Sequence, residues 1–194
     1  MSQSKKSFIK RDKVEKFMKL AGQVVRDSLD AGSKEERLLG AQLLLSETLE
    51  YVIKGLGIAP VVQGVKITDP DALKFEEFRE PNPTEMVDGL ADVAYTMIWN
   101  ANAFGIPLEE AYDIISDNNL EKFVKVSSDS FKEGLVAKEQ WHLNQNIKWP
   151  KEVVQVEIIS LNGELFAVGK DKNGKVRKPS SFSPPKLKSL LNNG

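Results

Sequence analysis

Two short stretches of this chain hold acids at spacings that allow phosphate or metal chemistry. Glu47 and Glu50 are three residues apart, and Glu85, Asp88 and Asp92 follow an i, i+3, i+7 series. On a helix, both spacings bring the side chains to a common face. The neighbours Leu43, Leu44, Leu49, Val87, Leu90 and Val93 are apolar, so these carboxylates belong to elements that must pack. Gathering them costs like-charge repulsion. A divalent cation is the simplest compensation, and hard oxygen ligands suit Mg²⁺ or Mn²⁺. Spacing alone does not decide the matter, because paired acids are common on solvated helix faces and charge patterning by itself favours ordinary surface charge.

Composition removes other chemistries. The absence of cysteine excludes disulfides, thiolate zinc sites and cysteine nucleophiles, and fits a reducing compartment. The single histidine, His142, is a poor basis for a Ser-His-Asp triad or a multi-histidine metal site, and reads as a packing or surface residue. With 27 Lys and Arg against 28 Asp and Glu, net charge gives no general reason to bind nucleic acid or an anionic membrane. No apolar run approaches the ~18 residues of a membrane span. Met1 to Arg11 is polar and basic, lacks the apolar core of a secretory signal, and reads as a flexible tail. A cytoplasmic location is expected.

The periodicity predicts a first helix over Asp12–Val25, with Val14, Phe17, Met18 and Ala21 on one face. Ser33 and Glu36 form a capping-box signature for a second helix running to about Gly55. Its leucines spread widely around the axis, which predicts a central, largely buried helix. Residues 56–83 are proline-bearing and irregular. A third helix is expected from Thr84 to Phe104, ended by Gly105, and a fourth from Pro107 to about Val124. Tyr95 and Trp99 on the third read as core or subunit contacts rather than base-stacking residues. Asn162-Gly163 between Val153–Ser160 and Glu164–Val168 signals a β-hairpin. An isolated hairpin is marginal, so it should pack on the bundle or on another subunit, with Trp141, Trp149 and Phe166 as candidate contacts.

The ordered motifs carry a resemblance. Glu85-Met-Val-Asp88-Gly-Leu-Ala-Asp92-Val-Ala-Tyr95, preceded by Glu47-x-x-Glu50 and followed by Asn118-Asn119-Leu120-Glu121-Lys122, resembles the all-α nucleoside triphosphate pyrophosphohydrolases. The closest likeness is to their phosphoribosyl-ATP-pyrophosphohydrolase-like, MazG-related branch. Phe17 with Gly22-Gln23 and the segments Gly174–Pro179 and Phe182–Leu187 resemble the family's beginning and end. Ser46 stands where the family often has another acid, Gly89 where it has a glutamate, and Ser116-Asp117 where it has basic residues.

The resemblance implies a mainly α fold, a four-to-five-helix bundle with a small β-hairpin appendage near the C-terminus. The expected organisation is a tail over 1–11, a helical catalytic domain over 12–124, an insertion with the hairpin over 125–170, and a basic, proline-containing segment over 171–194 packing on the core. The implied activity is Mg²⁺-dependent hydrolysis, with Mn²⁺ as an alternative, of a nucleoside triphosphate, above all a dNTP, to the monophosphate and pyrophosphate. Glu47, Glu50, Asp88 and Asp92 would be catalytic metal ligands, with Glu85 a ligand or supporting acid. Asn119 and Lys122 would bind the phosphates, although a helix end with a solvated lysine is the plainer reading. Lys175 and Lys178 belong either to a solvated tail or to a basic lid over the substrate. The related enzymes are oligomers, so a homodimer or homotetramer is expected, with sites near subunit boundaries and no membrane or specific nucleic-acid partner. The alternative to an enzyme is a non-catalytic nucleotide-binding or regulatory protein on the same scaffold. A nucleic-acid module built from the hairpin and basic tail is weaker on charge grounds.

Overall fold

The computed structural model describes residues 11–191, so the tail expected over 1–11 lies, Arg11 apart, outside the described residues. The chain divides into two compact units. One spans Arg26–Met97 and the other combines Met1–Val25 with Ile98–Gly194. The division falls within the third helix rather than at the edges of a terminal insertion.

The second unit is built around a four-stranded antiparallel sheet. It contains α1 (Asp12–Leu20), the last turns of α3 (Pro83–Phe104), and α4 (Leu108–Leu120). Its strands are β3 (Val124–Val126), β4 (Gly134–Leu135), β5 (Val153–Leu161) and β6 (Glu164–Asp171), in the order β3-β6-β5-β4. We call it the sheet unit. The Asn162-Gly163 turn between β5 and β6 is as the dipeptide predicts, with both residues at positive φ, 54° and 79°. The long β5–β6 ladder has one irregularity, between Val153 and Gln155.

Period-two alternation gives this sheet two buried faces. Leu165 and Ala167 join Val124, Val126, Val156 and Ile158 in one apolar cluster, completed by Leu143, Ile147, Trp141 and Trp149 from the segment after β4. Phe166 and Val168 join a second cluster with Phe17, Leu20 and Ala21 at α1, and Leu120 and Phe123 after α4. The Phe17 and Phe123 rings meet edge to face at 5.1 Å. Full burial of residues such as Leu20, Leu143, Ile158 and Val168 stabilises by about 1.5–3 kcal/mol each.

The fold is therefore mixed α+β, not a mainly α bundle with a hairpin appendage. The hairpin is the centre of the sheet, and the sheet carries the core. Trp141, Trp149 and Phe166 are its contacts as expected, but within this chain. Two strands of this sheet escape notice in the sequence. The run Val124-Lys125-Val126 continues directly from the helix end, and Gly134-Leu135 is too short to show a period.

The unit spanning Arg26–Met97 contains α2 (Lys34–Glu50), a small hairpin of β1 (Val61–Val62) and β2 (Val65–Lys66), and most of α3. The capping box at Ser33 is complete. Its hydroxyl accepts from the Glu36 N–H at 3.2 Å, and the Glu36 carboxylate accepts from the Ser33 N–H at 2.7 Å. Arg26 adds a two-pronged pair to that carboxylate, both bonds 3.0 Å. α2 passes without a break into a π-helical turn over Tyr51–Gly55, where the sequence places its end. At the start of α3 the Thr84 N–H donates to the Asn82 carboxamide at 3.1 Å, and Gly105, at φ 64°, follows its end.

Burial in this unit differs from expectation. None of its residues is buried, α2 included, although its leucines predicted a central helix. Leu43, Leu44, Leu45, Leu90 and Tyr95 are exposed, Tyr95 by 70%. α2 and α3 share no extended packed seam. Trp99, on the sheet-unit part of α3, is also exposed rather than core. The hydrophobic pattern states that these faces require cover, but not that the same chain supplies it.

Candidate functional site

Helical phase places Glu85, Asp88 and Asp92 along one side of α3, as their spacing requires. All three are exposed, as are Glu47 and Glu50 near the C-terminal end of α2. Glu50 pairs with Lys54 at 2.9 Å, one turn on. The side chains of Glu47, Glu85, Asp88 and Asp92 hold no hydrogen bond or ion pair among the described residues. Some other acids of the unit are paired. Glu36 binds Arg26, and Glu77 binds Arg37 and Lys34. The unit as a whole holds fourteen Asp and Glu against seven Lys and Arg, so its field is strongly negative although the chain is nearly neutral.

A pocket of about 390 Å³ opens beside Glu85. The first half of α2, the segment Phe75–Asn82 and the first turn of α3 line it, Glu85 included. Glu47 lies six residues past Ala41, the last α2 residue in the pocket, or roughly 9 Å further along the axis. The acids of α2 thus run away from the α3 end where Glu85 sits. Among the described residues no three Asp, Glu or His side chains stand close enough together to hold a metal ion. Placed as they are in one chain, the five carboxylates do not fit a closed Mg²⁺ site.

The remaining predicted binders belong to the sheet unit. The side chain of Asn118, not Asn119, is buried there, and its amide donates to the Ser183 carbonyl at 2.7 Å and to Glu121 at 3.3 Å. It ties the Phe182–Pro185 segment to α4. The sequence contains both partners but no spacing that would pair them. Asn119 is half-buried, and its carbonyl accepts the Lys122 N–H in the closing turn. The Lys122 ammonium stands 5.5 Å from the centre of the Phe17 ring. Lys178 lies similarly over Phe182, at 4.8 Å, and is exposed.

Lys175 contributes through its backbone. Its N–H and that of Asn173 donate to Asp171 at 2.9 Å each, and Arg177 completes the carboxylate's shell at 3.0 Å. Burial pushes the Asp171 carboxyl up, but these donors outweigh it and hold it below the usual range. The basic segment after β6 is thus fastened by its backbone, with the Lys175 and Lys178 side chains outward.

No family model matches the chain, and no curated protein or solved structure matches it. The family resemblance rests on the motifs alone. Among the described residues no helix is long and apolar enough to cross a membrane.

Proposed function

We propose that the chain hydrolyses a nucleoside triphosphate, a dNTP foremost, to the monophosphate and pyrophosphate. Water attacks the α-phosphorus, the α–β anhydride bond breaks, and pyrophosphate leaves. The observation that carries this reading is the run of Glu85, Asp88 and Asp92 along one side of α3, with Glu47 on α2, none of whose side chains holds an ion pair among the described residues. Such a charge deficit calls for a cation.

Mg²⁺, or Mn²⁺, is the proposed cofactor, and it would neutralise phosphate charge when bound. Glu47, Glu50, Asp88 and Asp92, with Glu85, would hold it. Because they stay apart in one chain, the reading requires a homodimer or homotetramer that draws them together. Asn119, Lys122, Lys175 and Lys178 are the proposed phosphate contacts, and the proposed location is cytoplasmic.

A second reading, capture of a nucleotide without turnover, is favoured by Ser46 and Gly89, which stand where the resembled pattern has acids. Pyrophosphate release from a panel of dNTPs and NTPs, with Mg²⁺, with Mn²⁺ and with chelator, separates the two. Metal-dependent release from at least one nucleotide is expected. Nucleotide binding by calorimetry with no release from any would give the second reading.

A further inference from the structure

Phe78 is 91% exposed, an unusual state for a phenylalanine, and it stands on the rim of the pocket beside α2. The pocket floor is apolar, with Leu38, Ala41, Phe75 and Met86 among its lining. A bare aromatic next to an unfilled apolar hollow on the same surface is one half of a self-complementary contact. We propose that this pocket receives Phe78 of a second copy of the chain, and gives its own Phe78 in return. The contact deepens the homo-oligomer part of the proposed function and rests on it.

The charges around the pocket favour a protein occupant over a nucleotide. Three cations, Lys34, Arg37 and Arg79, line it, against four acids, Glu76, Glu77, Glu80 and Glu85. Glu77 already engages Lys34 and Arg37. No cationic surplus remains for a triphosphate. Arg79 and the acids Glu76, Glu80 and Glu85 hold no ion pair among the described residues. Mixed, unspent charges on a rim suit a two-fold contact, where the cation of one copy meets the acids of the other.

The burial of the unit favours a second copy over an unrelated protein. A 72-residue unit with no buried side chain has little apolar gain to offset the entropy of ordering its backbone. Its cover must be present whenever the chain is folded, and only another copy is always at hand. Aromatic anchors in pockets carry a disproportionate share of interface energy.

The absence of native cysteine makes the contact directly testable. Phe78→Cys and Ala41→Cys proteins are mixed, oxidised, and searched for a disulfide between positions 78 and 41. Asp129→Cys in the sheet unit replaces one partner as a control. In parallel, subunit mass by light scattering is compared for the intact protein and Phe78→Ser, with helicity checked by circular dichroism. Phe78 is solvent-facing in the single chain, so Phe78→Ser should fold.

The expected result is a 78–41 disulfide well above the control, and a fall of subunit mass in Phe78→Ser to half or less at micromolar concentration. An oligomeric intact protein whose mass is unchanged in Phe78→Ser, with no 78–41 disulfide above control, overturns this contact alone. A monomeric intact protein overturns the homo-oligomer reading with it. Blocking of Phe78→Cys labelling by added dNTP in a monomeric protein would assign the pocket to nucleotide and likewise overturn the proposal.

Discussion

The Trp149 ring fills the space that a side chain at position 169 would need. A Cβ added to Gly169 would stand 2.4 Å from Cε3 of that indole, far inside contact distance. The ring cannot easily give way, because its Nε1–H donates to the Trp141 carbonyl at 3.0 Å and it packs on the sheet's first core cluster. Gly169→Ala is therefore expected to destabilise the sheet unit by about 1–3 kcal/mol through overpacking. Chemical denaturation followed by tryptophan fluorescence measures it. An unchanged midpoint would mean that Trp149 does not sit against β6.

The centrality of the β5–β6 hairpin has a larger consequence. Deleting residues 151–169 removes both middle strands and members of both core clusters. Cooperative unfolding of the sheet unit should disappear in the deleted protein. Retention of a sharp thermal transition in residues 98–194, followed by Trp141 and Trp149 fluorescence, would instead return the hairpin to the status of an appendage.

Two polar clasps hold the C-terminal segment, and each should be costly to break. Asn118→Ala leaves the Ser183 carbonyl without its donor, and about 1–3 kcal/mol is expected. Asp171→Ala strands the Asn173 and Lys175 N–H groups and Arg177 together, and about 2–4 kcal/mol is expected. Limited proteolysis should then cut between residues 171 and 187. Equal resistance in variant and parent would show that other contacts fasten the segment.

For the proposed activity, Glu47→Gln, Glu50→Gln and Asp92→Asn should each reduce metal-dependent pyrophosphate release by on the order of 10²-fold or more, with circular dichroism unchanged. Their exposure in the single chain predicts the unchanged fold. Near-normal turnover in Asp92→Asn would remove that residue from the site.

The cap of α2 predicts a pH dependence. Arg26, then the Ser33 N–H, hold the Glu36 carboxyl down at about 2, against an ordinary 4.5. A depressed folded-state value means that the contribution is whole above the ordinary value and is lost as pH falls from 4.5 towards 2. Helicity of α2 should therefore decline in that acid window and stay level above it. In Glu36→Gln the step should vanish, and an identical acid titration of the variant would show that Glu36 is not its source.

Much of the local structure was legible in residue types. Ser33 with Glu36 and Gly105 after Phe104 mark helix ends because capping is decided within a few residues. Asn162-Gly163 marks the hairpin because few other residues adopt left-handed backbone without strain. The spacing of Glu85, Asp88 and Asp92 determines that they share a side of α3, since helical pitch is fixed. What surrounds each element was decided only in three dimensions. Nothing local says that Val168 faces α1 while Ala167 faces Leu143, making an apparent appendage the centre of the core. Nor does it say that the leucines of α2 find no cover in their own chain. Hydrophobic periodicity records that a face must leave water, a property of the residues themselves. The surface that meets that face depends on contacts between residues far apart in sequence, or on another copy, and such pairings leave no mark in the spacing of either partner.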